Sequence, residues 1–278
     1  MTDGVVSWSI ERRGWVGSTM DIAAERAAAG APEGTVVVAD YQSDGRGRAG
    51  RRWEAPPGSA LMLTAILRPD LPPNRLSPLA LVAGVALAQA VEVETGLECW
   101  LKWPNDLWLG NRMEGQKAAG ILVTVRLGNA RVDHVLLGIG LNVSTPASAL
   151  PEGATSIQVA LEKVGGNLSF QVGRTAAEDL RERLLARTLD RLAEGYSTFV
   201  ASRGRPPLDE WLRRAALHGE RVEVAARGAP RRGLFVGVRT DGALLLRSDG
   251  GDEETVVAGD LVRGPRYSPT STSDLPGR

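Results

Sequence analysis

Ten residues, Asp44 to Trp53, hold three glycines and four arginines in the order Asp-Gly-Arg-Gly-Arg-Ala-Gly-Arg-Arg-Trp. Glycine reaches positive φ without a steric penalty and lets backbone approach a bound group closely. Arginine keeps its charge and offers a planar fork of donors that fits carboxylate or phosphate. The closing Trp53 can cover an aromatic ring. Such a loop is suited to folding over an anion, although a solvated basic turn has the same composition. Three further segments hold groups of the same kind. Lys102-Trp103-Pro104-Asn105-Asp106-Leu107 sets an amine, an amide and a carboxylate beside a proline that restricts the chain. Lys117-Ala118-Ala119-Gly120-Ile121-Leu122 brings a lysine into an apolar strand with a glycine that permits close approach. Gly138-Ile139-Gly140-Leu141-Asn142-Val143 ends an apolar strand in glycines and leaves an amide at its mouth. Taken singly, each has an ordinary structural use: strand-end lysines meet solvent, and strand-end asparagines cap turns.

The elements that must position these groups follow from periodicity. Ser18-Thr19 ahead of an alanine-rich run to Gly30 predicts a capped helix over 21–30. Strands are expected over 35–39, leading into the glycine/arginine loop, and over 60–67. A helix is expected over 76–95, with Pro78 tolerable in its first turn. Strands near 98–103, 120–126 and 132–139 and a long amphipathic helix over 175–200 complete an α+β domain, a mixed central sheet with packed helices. Composition shifts at Arg203-Gly204-Arg205-Pro206-Pro207. Short strands at 221–224, 233–237, 243–246 and 255–257, separated by turns at Asp241-Gly242 and Asp249-Gly250-Gly251, predict a small β-barrel. The expected division is 1–215, 216–264 for the barrel, and a Ser/Thr/Pro-rich, disordered tail over 265–278.

Composition narrows the chemistry. The chain has 278 residues, 43% hydrophobic, enough for one large core and a small second one. Its 33 basic and 33 acidic residues cancel, so no global field draws it to DNA or an anionic membrane, and anion binding must be local. Cys99, the one cysteine, excludes an internal disulfide and reads as a buried structural thiol. With His134 and His218 far apart, no zinc-ligand spacing exists, and no Ser-His-Asp signature is visible. No leader pattern opens the chain and no segment reads as apolar enough to span a membrane, so a soluble cytoplasmic protein is expected.

Together and in this order, the four segments resemble those of the biotin protein ligases. The resemblance runs from about Ser18 to Asn142 and, more loosely, through the C-terminal barrel. It implies a class II synthetase-like biotin/lipoate ligase domain followed by an SH3-like barrel. It also implies an ATP- and Mg²⁺-dependent enzyme that makes biotinyl-5′-AMP and passes biotin to a lysine of a biotin carboxyl carrier domain in biotin-dependent carboxylases. By motif position, Ser18, Thr19, Gln42, Gly45, Arg46, Gly47, Arg48, Lys117 and Gly120 would line the biotin side. Arg48, Arg51 and Lys102 would surround the reacting carboxylate and phosphates. Trp53 would cover adenine, and Asn105 and Asn142 would serve the nucleotide. Asp106 would hold Lys102 together with the incoming lysine or the metal, whose ligands the resemblance leaves open. Lys102, Arg48 and Asp106 are thus the implied catalytic residues.

Two departures stand out. Met20 follows Ser-Thr where the family often has asparagine, and the connection from Leu109 to Gln116 is longer than usual. Seventeen residues precede Ser18, too few for the DNA-binding domain that some of these ligases carry, so a ligase-only architecture without DNA binding is expected, as monomer or homodimer. A lipoate ligase or octanoyl transferase of the same fold is the alternative enzyme. A binding module that recognises carrier domains without chemistry is the non-enzymatic one.

Overall fold

β5 (Ala60–Leu67) is buried at every position, because both faces of the sheet it crosses are covered. The computed structural model describes residues 5–129, 131–165, 174–225 and 229–263; the expected tail over 265–278 lies outside them. Before β5 come β1 (Ser9–Val16), α1 (Thr19–Ala28), β2 (Thr35–Gln42) and a short hairpin of β3 (Gly45–Arg46) and β4 (Arg52–Trp53). After it come α2 (Leu79–Thr95), β6 (Cys99–Lys102), β7 (Asp106–Leu109), β8 (Gln116–Gly128) and β9 (Arg131–Asn142). Three helices, α3 (Ile157–Lys163), α4 (Arg174–Ala201) and α5 (Leu208–Arg213), lead to β10 (Arg221–Ala225), β11 (Arg231–Val238), β12 (Leu244–Arg247), β13 (Glu253–Val256) and β14 (Asp260–Arg263).

The large sheet has the order β1-β2-β5-β9-β8-β7-β6. Only β1 and β2 run parallel, and α1 supplies the crossover a parallel pair needs. Alternation sorts the side chains. Val36, Val38, Leu61, Leu63, Leu137 and Ile139 join the core beneath α2 and α4. Val37, Ile66 and Leu136 face the other way and meet Met20, Ala23 and Ala27 of α1. α2 carries apolar residues around its whole circumference because it lies between the sheet and α4. The segment Pro73–Thr95 is in fact long and apolar enough to cross a membrane, contrary to the sequence expectation; 72% of its most apolar stretch is buried within this core.

Two strands of the large sheet carried no readable period. β1 is mostly exposed and is held by pairing with β2 rather than by an apolar face. β7 is four residues long, too short to show alternation. The C-terminal strands form an antiparallel sheet in the order β13-β12-β11-β10-β14, in which β14 returns to β10. This sheet docks on the β6–β7 side of the large one. Leu101 N–H donates to Arg214 O at 2.7 Å and Ala216 N–H donates to Leu101 O at 2.9 Å, covering the β6 edge. Fully buried Trp103 donates its indole N–H to Gly242 O at 2.9 Å. That carbonyl belongs to the β11–β12 turn, where Gly242 has φ +83°, a left-handed conformation glycine adopts without strain. Cys99 is buried, and burial pushes its thiol pKa up, as befits a packing residue.

Candidate active site

The site lies on the α1 face, where glycine replaces the side chains that would otherwise cover the sheet. Across the register, Met62 of β5 faces Gly140 of β9, which faces Gly120 of β8, which faces Asp106 of β7. One step along, Thr64 faces Gly138, and Gly138 faces Leu122. A Cβ at Gly140 would sit 2.5 Å from the Trp53 ring, and one at Gly138 would sit 2.9 Å from Met20 Sδ. Gly140 is therefore required by the Trp53 ring over it, whereas the flexible Met20 side chain could yield to a Cβ at Gly138.

Trp53 reaches this floor from the glycine/arginine loop, which is an ordered hairpin. Gly45 pairs with Trp53 and Arg46 with Arg52, and Gly47 N–H donates to Arg51 O at 2.7 Å. The turn passes through Ala49 and Gly50 at φ 55° and 75°. Gly45 is obligatory, since a Cβ there would lie 2.3 Å from Trp53 O. The loop arginines are held one by one. Arg46 pairs with Asp21 of α1 at 2.7 Å. Arg48 donates to Asn105 Oδ1 at 2.7 Å, and Asn105 in turn donates from its amide to Ile121 O at 2.7 Å. Arg51 reaches Asp260 of the C-terminal sheet at 3.0 Å. Burial pushes the pKa of Arg48 down, against the pull of Asp260 and Asp106.

The second cationic group is built by a bulge. Regular alternation would send Lys117 and Gly120, three residues apart, to opposite faces. The β7–β8 register shifts between Leu107 and Trp108, so both Ala118 and Ala119 turn into the core and Lys117 comes round to the face of Gly120. There its ammonium meets Asp106 at 2.7 Å. The direct ion pair of Asp106 is with Lys117, while Asp106 acts on Lys102 through space only. Lys102 stands opposite Asp106 in the β6–β7 pairing, but its ammonium lies over the Trp108 ring, 4.9 Å from the centroid. Among the described residues Lys102 has no ion-pair partner. Burial pushes its pKa down, opposed by Asp106 and Asp260.

Two depressions meet at Trp53. The first, about 670 Å³, is lined by Ser18, Thr19, Gln42, Arg48 and Asn105, with Gly120 and Gly140 in its floor. Arg46, Gly47 and Arg51 close it from the loop side. The second, about 1130 Å³ and more open, is lined by Asn142, Ser148 and Pro151. Arg52, Trp53 and Lys117 border both. Gly45, Lys102 and Asp106 line neither of the two. Asn142 is buried and donates to Thr155 O at 3.1 Å, which anchors the segment leading into α3. The Trp53 indole N–H is buried without a hydrogen-bond partner. Such a donor costs roughly 1–3 kcal/mol, relieved by any ligand that brings an acceptor.

At the closed end of the first depression Ser18 caps α1, accepting from Met20 N–H at 3.3 Å. Met20, at the position where asparagine was expected, is buried on α1 and packs against Gly138. Residues outside the sequence-read motifs also take part: Met62 and Thr64 from β5, Trp108 from β7 and Asp260 from β14. Nothing local marks Thr64 or Asp260, because their roles depend on pairing across the sheet and on docking of the C-terminal strands.

Residues 15–142 match the biotin/lipoate A/B protein ligase family, and residues 217–264 match the biotin protein ligase C terminal domain. The biotin--[acetyl-CoA-carboxylase] ligase of Mycobacterium tuberculosis is 33% identical over 261 residues, 88% of this chain and 85% of that one. Its counterpart from Paracoccus denitrificans is 34% identical, covering 77% and 85%. The bifunctional ligase/repressor BirA of Bacillus spizizenii is 37% identical over 57% of this chain; the chain spans about half of that protein's length, 47%. Among solved structures, the biotin protein ligase from Aquifex aeolicus in complex with biotin and ATP superposes with a TM-score of 0.69 at 25% identity, covering 91% of this chain and 97% of that one.

Proposed function

The chain belongs to the biotin protein ligase family, and from that premise we propose that it activates biotin with ATP and transfers it to a lysine of a carboxyl carrier domain. The observation that carries this reading is the pair of depressions meeting at Trp53 and Lys117. One is narrow and lined by hydroxyls and an amide, suited to a small polar ring. The other is wide and open, suited to a nucleotide. A carboxylate held in the first can meet an α-phosphate held in the second.

Both reactants are anionic, so the approach is repulsive until positive charge lies between them. Lys117 and Arg48 line the first depression and supply it, with Lys102 adding its charge from over the Trp108 ring, and fixed charges stabilise the transition state without reorganising. The carboxylate oxygen attacks the α-phosphorus, pyrophosphate leaves, and a mixed anhydride remains. Trp53 and the arginine hairpin keep water from it. In the second step the carrier lysine attacks the acyl carbon and AMP leaves. Asp106 orients Lys117 and can accept the amine's proton. Among the described residues no three His, Cys, Asp or Glu side chains cluster. Mg²⁺ needs no such cage, because it binds mainly through phosphates with one or two carboxylates; Asp106 is already paired with Lys117 at 2.7 Å and lines neither depression. Bound through the phosphates, Mg²⁺ would offset charge on the pyrophosphate.

Purified protein should catalyse pyrophosphate exchange into ATP that depends on biotin, and should then label a carrier domain. Exchange with lipoate in place of biotin would move the assignment to the alternative ligase. No exchange with either acid, in protein with a cooperative melt, would leave the octanoyl transferase or a binding module.

The Arg51–Asp260 pair suggests how the C-terminal sheet enters. Both side chains are about half exposed, so the pair contributes no more than about 1 kcal/mol. ATP phosphates would compete with Asp260 for Arg51, and the carboxylate would repel them. Asp260→Asn is therefore expected to lower the KM for ATP by up to about fivefold, leaving the KM for biotin unchanged. A higher KM for ATP would instead make Asp260 a group that positions Arg51 for the nucleotide.

A further inference from the structure

One fully buried hydroxyl beneath the closed end of the first depression belongs to none of the motifs. Thr64 Oγ1 lies in the middle of β5 and donates to Thr19 Oγ1 at 2.8 Å. Thr19 Oγ1 donates onward to Gln42 Oε1 at 2.9 Å, and the Thr19 backbone N–H donates to the same oxygen at 2.7 Å. A backbone N–H can only donate, so the Gln42 atom facing it is the oxygen, and the amide orientation is settled. That oxygen can only accept. The single Thr19 hydroxyl proton must therefore point to Gln42, and Thr19 can only accept from Thr64. One backbone N–H thus dictates the direction of the whole relay.

The other end of Gln42 is left as a donor. Its amide nitrogen has only Met62 Sδ, a weak acceptor, at 3.3 Å. It lies 3.2 Å from where a Cβ of Gly45 would stand, so the missing side chain of Gly45 leaves room beside it. We infer that Thr64 is a positioning residue for substrate selection: through Thr19 it steadies Gln42, already turned by the Thr19 backbone N–H to present its amide as a donor, against the carbonyl oxygen of a cyclic urea. The inference rests on the reading of this depression as the biotin side. Without the Thr64 hydroxyl, Thr19 loses the donor that fixes it and can turn its proton elsewhere, leaving Gln42 one restraint short.

Three variants test this: Thr64→Val, which is nearly isosteric without the hydroxyl, Thr64→Ala, and Thr64→Ser, which restores the hydroxyl. Adenylation is measured with biotin and with 2-iminobiotin, which carries a donor group where biotin has its carbonyl oxygen. Thr64→Val and Thr64→Ala are expected to raise the KM for biotin about tenfold, the scale of an unsatisfied buried polar group. The kcat should stay within about twofold, and the KM for ATP should not move. Their preference for biotin over 2-iminobiotin should narrow, and Thr64→Ser should match the wild type on every count. The inference is overturned if Thr64→Ser behaves like Thr64→Val, if the preference is unchanged in both hydroxyl-free variants, or if the loss appears in kcat. A wild-type protein that does not use biotin at all would instead overturn the functional reading.

Discussion

Lys102→Ala is expected to lower the rate of adenylate formation by roughly two to four powers of ten, the scale of losing one preorganised charge at a transition state. The expectation rests on how the site's cations are committed. Arg46, Arg51 and Lys117 are each paired with a carboxylate. Among the described residues Lys102 has the Trp108 ring but no ion-pair partner, so its charge is not committed to a carboxylate. Biotin binding should change little, because Lys102 does not line the first depression. Single-turnover formation of biotinyl-AMP is the measurement, and a near-normal rate would remove Lys102 from catalysis. A pH profile gives an independent check. Burial disfavours the ammonium and lowers its pKa, so Lys102 loses its proton at a lower pH than an exposed lysine does. If the charge is needed, kcat/KM for ATP must fall as pH rises through that lowered pKa. Bound phosphates favour the ammonium, so the corresponding limb in kcat should lie at higher pH.

Arg48→Gly is expected to let biotinyl-AMP escape, so that lysines on bystander proteins become biotinylated at least tenfold faster than with the wild type. Arg48 ties the loop to β8 through Asn105, and Asn105 is anchored on Ile121 O. A hydrogen bond from a charged donor contributes about 1.5–3 kcal/mol, which corresponds to roughly a ten- to hundredfold faster opening. Adenylation should persist, because Lys102 and Lys117 remain. Serum albumin added as a bystander and probed for biotin reads the escape directly. Labelling no higher than with the wild type, in an active variant, would show that Arg48 does not retain the intermediate.

Asp260→Asn and the Thr64 variants probe residues of a different kind, which explains why the sequence left them out. The chain by itself determined the groups available and the elements with a strong local signal. The alanine-rich run after Ser18 made α1, the apolar run from Leu79 made α2, and an apolar run broken only by Thr64 made β5. The glycines at 45, 120, 138 and 140 could be read as places of close approach, and the structure fills them with Trp53, Lys117 and Met20. Such features depend on residues a few positions apart, so they survive without knowledge of the fold. β1 and β7 escaped because one is exposed and the other too short to show a period.

Only the tertiary structure decided which charges meet. A single bulge turns Lys117 to the face of Asp106, giving Asp106 an ion-pair partner other than the one the family resemblance implied. Docking of the C-terminal strands brings Asp260 to Arg51 across more than two hundred positions of chain, 209 in all. The polarity of Gln42 is set by the backbone N–H of Thr19, at the N-terminus of α1. Register, bulge and docking arise from long-range packing that buries the whole sheet at once. A one-residue slip in any of them would reverse which side chains share a face, and no window of sequence holds enough of those contacts to reveal it.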